Sequence, residues 1–262
     1  MPYRNGRHEL GQNFLTDPAV VDAVVAAVGR LPGPIVEIGA GEGALTVPLQ
    51  GLGRPVTAIE VDPRLATGLR ASVDPALTRV VCEDFLRHRL PRGPHVLVGN
   101  LPFHQTTAIL RKILHSGQWT AAVLLVQWEV ARRRAAIGGA TMMTAQWWPW
   151  FEFAVARRVP AAAFTPSPGV DGGLLTVRRR VEPLVPADAR PAYQAFAHAV
   201  FTGRGRGLPG ILPRLGVPPV VARRFRGLPK DLAPEQWAEL FATVRVAGRP
   251  RARTRPSSSR TR

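Results

Sequence analysis

Ile35-Val36-Glu37-Ile38-Gly39-Ala40-Gly41-Glu42-Gly43 begins as a strand and ends as a loop. The short apolar run suits a strand buried on both faces of a sheet, and Ala44 to Leu49 then reads as a helix. Glycines let the backbone turn sharply and approach a ligand closely. The spacing is G-x-G-x-G, not the G-x-G-x-x-G of dinucleotide binders. No Lys-Ser/Thr follows, which excludes a phosphate-binding P-loop.

Working outward, Pro55 to Ile59 is a second strand-like run and ends in Glu60, whose carboxylate can accept both hydroxyls of a ribose. A third, Arg79 to Glu83, ends in Asp84-Phe85, an acid acceptor beside an aromatic wall, as an adenine amine and ring face require. A fourth, Val96 to Gly99, runs into Asn100-Leu101-Pro102-Phe103. Asn100 offers a carbonyl and an amide, Pro102 stiffens the chain so that the Leu101 carbonyl can point the same way, and Phe103 can stack on a base. Taken singly, each feature also fits a cap or a strand-to-helix turn, and Asp62-Pro63 does read as an N-cap followed by a first helical proline. In an open parallel sheet, ligands sit at the carboxyl ends of the strands, so the four ends converge on one crevice. The combination describes an adenosine-containing cofactor next to an amine-bearing base. Glu37, inside its apolar strand, is expected to organise the glycine-loop amides.

The remaining pattern alternates. Asp17-Pro18 starts a helix with Val20, Val21, Val24, Val25 and Val28 on one face; Gln105 to His115 is a helix, Ala121 to Val126 a buried strand, and Glu129 to Ile137 a basic helix. The expectation is an α/β, Rossmann-like, doubly wound and mostly parallel sheet over residues 1–181. Pro183 and Pro186 mark a linker, after which Arg190–Phe201, Pro219–Phe225 and Pro234–Val244 form a small C-terminal helical domain, residues 182–246. Residues 247–262, rich in Arg, Ser and Thr, read as a disordered basic tail.

With these motifs in place, the chain resembles the erythromycin-resistance (Erm) family of ribosomal RNA adenine-N6 methyltransferases. Arg7-His8-Glu9-Leu10-Gly11-Gln12-Asn13-Phe14-Leu15 is similar to the family's N-terminal cofactor motif, and Phe164-Thr165-Pro166-Ser167-Pro168-Gly169-Val170-Asp171 to its late F-x-P-x-P-x-V-D motif. The resemblance spans most of residues 7–180; the basic, proline-rich C-terminus departs from it. It implies S-adenosylmethionine as cofactor, with contacts from Asn13, Leu15, Gly39, Glu60 (ribose), Asp84 (adenine amine) and Asn100. It also implies a target pocket built from Asn100, the Leu101 carbonyl, Phe103 and, on the opposite face, Phe164. The substrate implied is an adenine of 23S ribosomal RNA in the peptidyl-transferase region, and the consequence resistance to macrolide, lincosamide and streptogramin B antibiotics. Two other readings stay open: a small-subunit rRNA dimethyladenosine transferase, where the tetrapeptide aromatic is typically Tyr, and a non-catalytic RNA-binding relative.

Composition is consistent with an RNA partner. The 262 residues carry a formal net charge of +17, and residues 182–262 hold 15 Lys and Arg against 5 Asp and Glu, a net of +10. Only Lys112 and Lys230 are lysines; Arg supplies the planar fork that pairs with phosphate and stacks on bases. The single cysteine, Cys82, excludes an internal disulfide and is expected in the core. The six histidines lack ligand spacing, so no metal site is expected. Trp147-Trp148-Pro149-Trp150-Phe151 reads as packing, not as a base-stacking surface. No segment approaches a membrane span of about 20 apolar residues, and a monomeric cytoplasmic protein is expected.

Overall fold

A computed structural model describes residues 13–247. Residues 248–262 of the basic tail and residues 7–12 of the N-terminal motif lie outside that range. The chain divides into two compact units, with the break between Glu182 and Pro183.

The first unit runs β1 (Phe14–Leu15), α1 (Pro18–Gly29), β2 (Ile35–Ile38), α2 (Thr46–Gln50), β3 (Val56–Glu60), α3 (Pro63–Ser72), β4 (Thr78–Cys82) and β5 (His95–Asn100). It continues with α4 (Thr106–His115), β6 (Trp119–Gln127), α5 (Trp128–Arg134), α6 (Met142–Trp147), β7 (Phe151–Val159), β8 (Phe164–Thr165) and β9 (Gly172–Arg179). Seven strands form one sheet in the order β4-β3-β2-β5-β6-β9-β7, while β1 and β8 pair separately. The five strands from β4 to β6 are parallel, as the alternating pattern predicts. All four residues of β2 are buried, which is why its residues other than Glu37 are apolar on both faces.

Both Asp-Pro pairs act as the sequence suggests. Asp17 accepts the amides of Ala19 and Val20 to open α1, and Asp62 accepts those of Arg64 and Leu65 to open α3. Val20, Val24 and Val28 of α1 are buried against Ile35, Val96, Val123 and Leu174, with Val21 and Val25 partly covered at the edge of the same cluster. The tryptophan segment is packing: Trp147 and Trp150 are 3% and 2% exposed, and Trp119 stacks on Phe151 with centroids 5.0 Å apart. Such pairs contribute about 0.5–1.5 kcal/mol beyond their area burial. The Trp119 indole N–H donates to the Ile113 carbonyl at 2.6 Å, tying α4 to β6.

The sheet is mostly parallel as expected, and its far edge, which the sequence reading does not place, is antiparallel: β9 returns antiparallel to β6, and β7 antiparallel to β9. β7 escapes a reading by periodicity because its register shifts between Val155 and Arg157 and its outer residues are mostly exposed. One expectation, for Cys82, needs correction: the residue is exposed, not buried. It ends β4, the edge strand of the sheet, whose outer side no strand of the described residues covers.

The second unit is helical: α7 (Arg190–Thr202), α8 (Gly207–Ile211), α9 (Pro219–Ala222) and α10 (Pro234–Ala247). Aromatic contacts between the first and last helices form its core, with Tyr193 edge-on to Phe241 at 5.2 Å and Phe201 stacked on a fully buried Trp237 at 5.5 Å.

Candidate active site

β2 and β5 lie side by side, Ile35 opposite Val96 and Glu37 opposite Val98. From β2 the chain proceeds outward through β3 and β4, and from β5 it proceeds the other way to β6. Here the connecting segments leave in opposite directions and open a crevice at the carboxyl ends of the strands. Gly39 directly follows the first strand and Asn100 ends the second, so sheet topology alone brings these two residues to one place.

The glycine loop is held by backbone and by one acid. The Gly39 and Ala40 amides donate to the Ile59 carbonyl at 2.9 and 3.1 Å. Gly39 and Gly41 have φ of +69° and +55°, where a side chain is strained. No atom lies within 4 Å of where a Gly39 side chain would begin, so its backbone faces open space. Glu60 is 2% exposed; its Oε2 accepts the Gly41 amide at 2.7 Å and its Oε1 the Asp62 amide at 2.9 Å.

This corrects the expectation for Glu37. The Gly41 amide bonds to Glu60, and Glu37 Oε2 accepts instead from the Thr46 hydroxyl at 2.6 Å, at the start of α2. Full burial pushes the Glu37 carboxyl up from its ordinary 4.5 to about 8; the Thr46 bond opposes the shift and the nearby Glu60 charge adds to it. The strand position conveys burial but not which neighbouring loop the side chain meets.

A cleft of about 1020 Å³, open mouth included, occupies the crevice. Asn13, Leu15, Gly39, Glu60, Asp84 and Asn100, the six expected cofactor contacts, all line it, together with Leu101 and Phe103. Asp84 also caps its own turn, Oδ1 accepting the Leu86 amide at 2.8 Å. Capping and lining the cleft are therefore both true of this residue. Phe85, 6% exposed, supplies an aromatic wall beside it.

Asn100 is oriented by a distant residue. Its Nδ2 donates to the Asn13 carbonyl at 2.7 Å, which settles the amide: the donor faces β1 and the carbonyl oxygen takes the other side. The Leu101 amide donates to the Leu125 carbonyl at 2.9 Å, anchoring the tetrapeptide to β6. The Pro102 carbonyl accepts from the Gln105 amide and the Thr106 hydroxyl, so the turn closes directly into α4. Phe103 is half-buried at the cleft.

Phe164 is not brought into this group. It is 2% exposed, pairs with Leu15 across the β1–β8 ladder, and belongs to the core cluster beneath α1. Phe14, which was not singled out, lines the cleft and packs over Gly41, 3.4 Å from where a side chain there would begin. The signal available for it was its place beside Asn13 and Leu15 in the N-terminal motif. Among the described residues no group of three or more His, Cys, Asp or Glu could hold a metal ion, and no helix is long and apolar enough to cross a membrane.

Residues 3–224 match the family described as ribosomal RNA adenine dimethylase. An rRNA adenine N-6-methyltransferase of Corynebacterium diphtheriae is 56% identical over 214 residues, spanning 82% of this chain and 85% of that protein. The mycinamicin-resistance protein MyrB of Micromonospora griseorubida is 44% identical over 264 residues, 98% of this chain and 83% of that one. Among solved structures, that of the 23S rRNA methyltransferase ErmE superposes with a TM-score of 0.81 at 32% identity, covering 89% of this chain and all of that one.

Proposed function

The chain belongs to the ribosomal RNA adenine dimethylase family, and on that premise we propose that it methylates N6 of one adenine in the peptidyl-transferase region of 23S ribosomal RNA, using S-adenosylmethionine. It is an rRNA adenine N6-methyltransferase, and its similarity to a mycinamicin-resistance protein supports a role in resistance to macrolide, lincosamide and streptogramin B antibiotics. Residues 1–181 form the catalytic domain in this proposal and 182–246 a helical RNA-binding domain, with the Arg-rich residues 247–262 as a basic arm.

The cleft fits the cofactor. Gly39 presents backbone to open space, as close approach of a ligand requires. Each Glu60 oxygen accepts one backbone amide and retains a second acceptor direction for a ribose hydroxyl. Asp84 commits Oδ1 to its own turn, and Oδ2 is the atom assigned to the adenine amine. Asn13, Leu15 and Asn100 complete the contacts toward the methionine end. When bound, S-adenosylmethionine supplies a methyl group already activated on a sulfonium.

What remains for the protein is to hold a weak nucleophile in line. The lone pair of adenine N6 is delocalised into the ring. The Asn100 Oδ1 and the Leu101 carbonyl accept its two protons and draw the nitrogen toward a tetrahedral geometry. The observation that carries this assignment is the Asn100 Nδ2 bond to Asn13, because it commits the donor end and leaves the acceptor end for substrate. Phe103 stacks on the ring. Phe164 lies in the core behind Leu15, pairs with it across the β1–β8 ladder, and is not among the residues that line the cleft. Such alignment lowers a barrier by several kcal/mol. The adenine must first leave its stack, which an RNA loop makes inexpensive.

The test is to express the chain in a macrolide-sensitive bacterium and map modified adenines on both ribosomal RNAs. An N6-methylated adenine in the large-subunit peptidyl-transferase loop, together with macrolide resistance, is expected. Modification of the small-subunit RNA would move the protein to the housekeeping branch, and no modified adenine would refute the enzymatic reading.

A further inference from the structure

The turn that ends β4 is held by a side chain from a different part of the fold. Lys112 of α4 donates Nζ–H to the carbonyls of Phe85 at 2.5 Å and His88 at 2.6 Å. The same ammonium lies 4.9 Å from the centre of the Phe85 ring. Among the turn's other bonds, the Glu83 amide donates to the Glu60 carbonyl at 3.0 Å, joining its start to β3; the rest are local, with Asp84 Oδ1 taking the Leu86 amide at 2.8 Å, the Asp84 carbonyl taking the amides of Arg87 and His88, and Glu83 pairing with His88 Nδ1 at 2.7 Å. The local bonds shape the turn, and the Glu83 bond fastens only its start, ahead of Asp84 and Phe85. Lys112 fastens the stretch from Phe85 to His88 to α4.

The choice of residue matters. Bridging two carbonyls while facing an aromatic ring needs several donors on a compact charge at the end of a long stem, which an ammonium provides. In a chain with only two lysines among 35 basic residues, one is placed here. The helix carrying it, α4, starts at Thr106, three residues after Phe103, so one element links the turn assigned to the target base with the turn assigned to the cofactor base.

We propose that Lys112 is a positioning residue for the cofactor: it fixes the Asp84 carboxylate and the Phe85 ring at the place where the adenine of S-adenosylmethionine is recognised. The proposal rests on the cofactor assignment above, and the experiment separates the two. Full-length protein is titrated calorimetrically with S-adenosylhomocysteine. Absence of binding by wild type would refute the cofactor reading itself. Given binding, Lys112→Met, which keeps the length and removes the donors, is expected to weaken it about tenfold or more, because two carbonyls lose their partner. Lys112→Arg should recover much of the loss. In an Asp84→Ala background the same Lys112→Met change should cost far less, since the residue acts through that carboxylate. In turnover, KM for the cofactor should rise while kcat moves less than about twofold. Equal affinity of Lys112→Met and wild type, or an equal loss with and without Asp84, would overturn the proposal. Should Lys112→Met fail to fold, Lys112→Gln, which retains a neutral donor, takes its place under the same two criteria.

Discussion

At Asn100 the orientation of one amide separates a structural role from a chemical one. Its nitrogen is bonded to Asn13, and its oxygen is the acceptor assigned to the target amine. Asn100→Ala removes that acceptor and is expected to lower methyl transfer to an RNA hairpin by about 10²–10³, the size of losing one pre-organised hydrogen-bonding partner in an active site. Phe103→Tyr keeps the stacking face and should retain substantial activity. Equal turnover by Asn100→Ala and wild type would refute the role. Glu37 leads to a pH prediction. Its carboxyl stays protonated in the folded protein up to about pH 8, whereas the unfolded chain ionises it near 4.5. Stability from this group is therefore complete below about pH 4.5 and is lost progressively as pH rises to about 8. Glu37→Gln, a permanent mimic of the neutral form, should flatten that part of the profile in urea melts at a series of pH values. An unchanged slope would show that Glu37 is ionised in the folded state.

At the scale of elements, two strands have to meet closely at the switch point. A Cβ on Gly99 of β5 would sit 2.5 Å from the Ile38 carbonyl oxygen at the end of β2, a contact with backbone that cannot move without shifting the strand. Gly99→Ala is thus expected to cost about 1–3 kcal/mol in a denaturant melt, and to weaken cofactor binding because Asn100 is the next residue. A fully stable Gly99→Ala protein would mean that the strand ends are looser than drawn. Elements defined by local signals were legible: the caps at Asp17 and Asp62 and the parallel strands follow from residues next to one another in the chain. β7 and β9 were not, because the shifted register and exposed outer residues of one, and the antiparallel return of the other, depend on where the sheet ends. Cys82 has the same explanation, since an apolar alternation cannot say that its strand is the last one.

For the whole molecule, charge is the property that reaches furthest. With a net +17, association with RNA should be dominated by displacement of counterions, and log affinity should fall linearly with log salt. If about six phosphates are neutralised, the slope is about −4 for single-stranded RNA. Affinity for S-adenosylhomocysteine, read by calorimetry over the same salt range, should change little by comparison. An RNA affinity insensitive to salt would contradict the electrostatic account.

The chemical inventory of the site was legible in the sequence because each part is local: a glycine loop needs its glycines where the chain turns, and an acid or amide at a strand end is readable from the apolar run before it. Sheet order, which sets which strand ends share a crevice, follows from pairing between segments far apart in the chain. Only the tertiary structure decided that Asn100 meets the Asn13 carbonyl 87 residues earlier, that Glu60 and not Glu37 holds the Gly41 amide, and that Phe164 turns into the core while Phe14 and Phe85 face the cleft. The same nonlocal packing sends Lys112 across to the β4 turn, because a side chain's partner is set by what the fold packs against it, and its own neighbours in sequence carry no record of that.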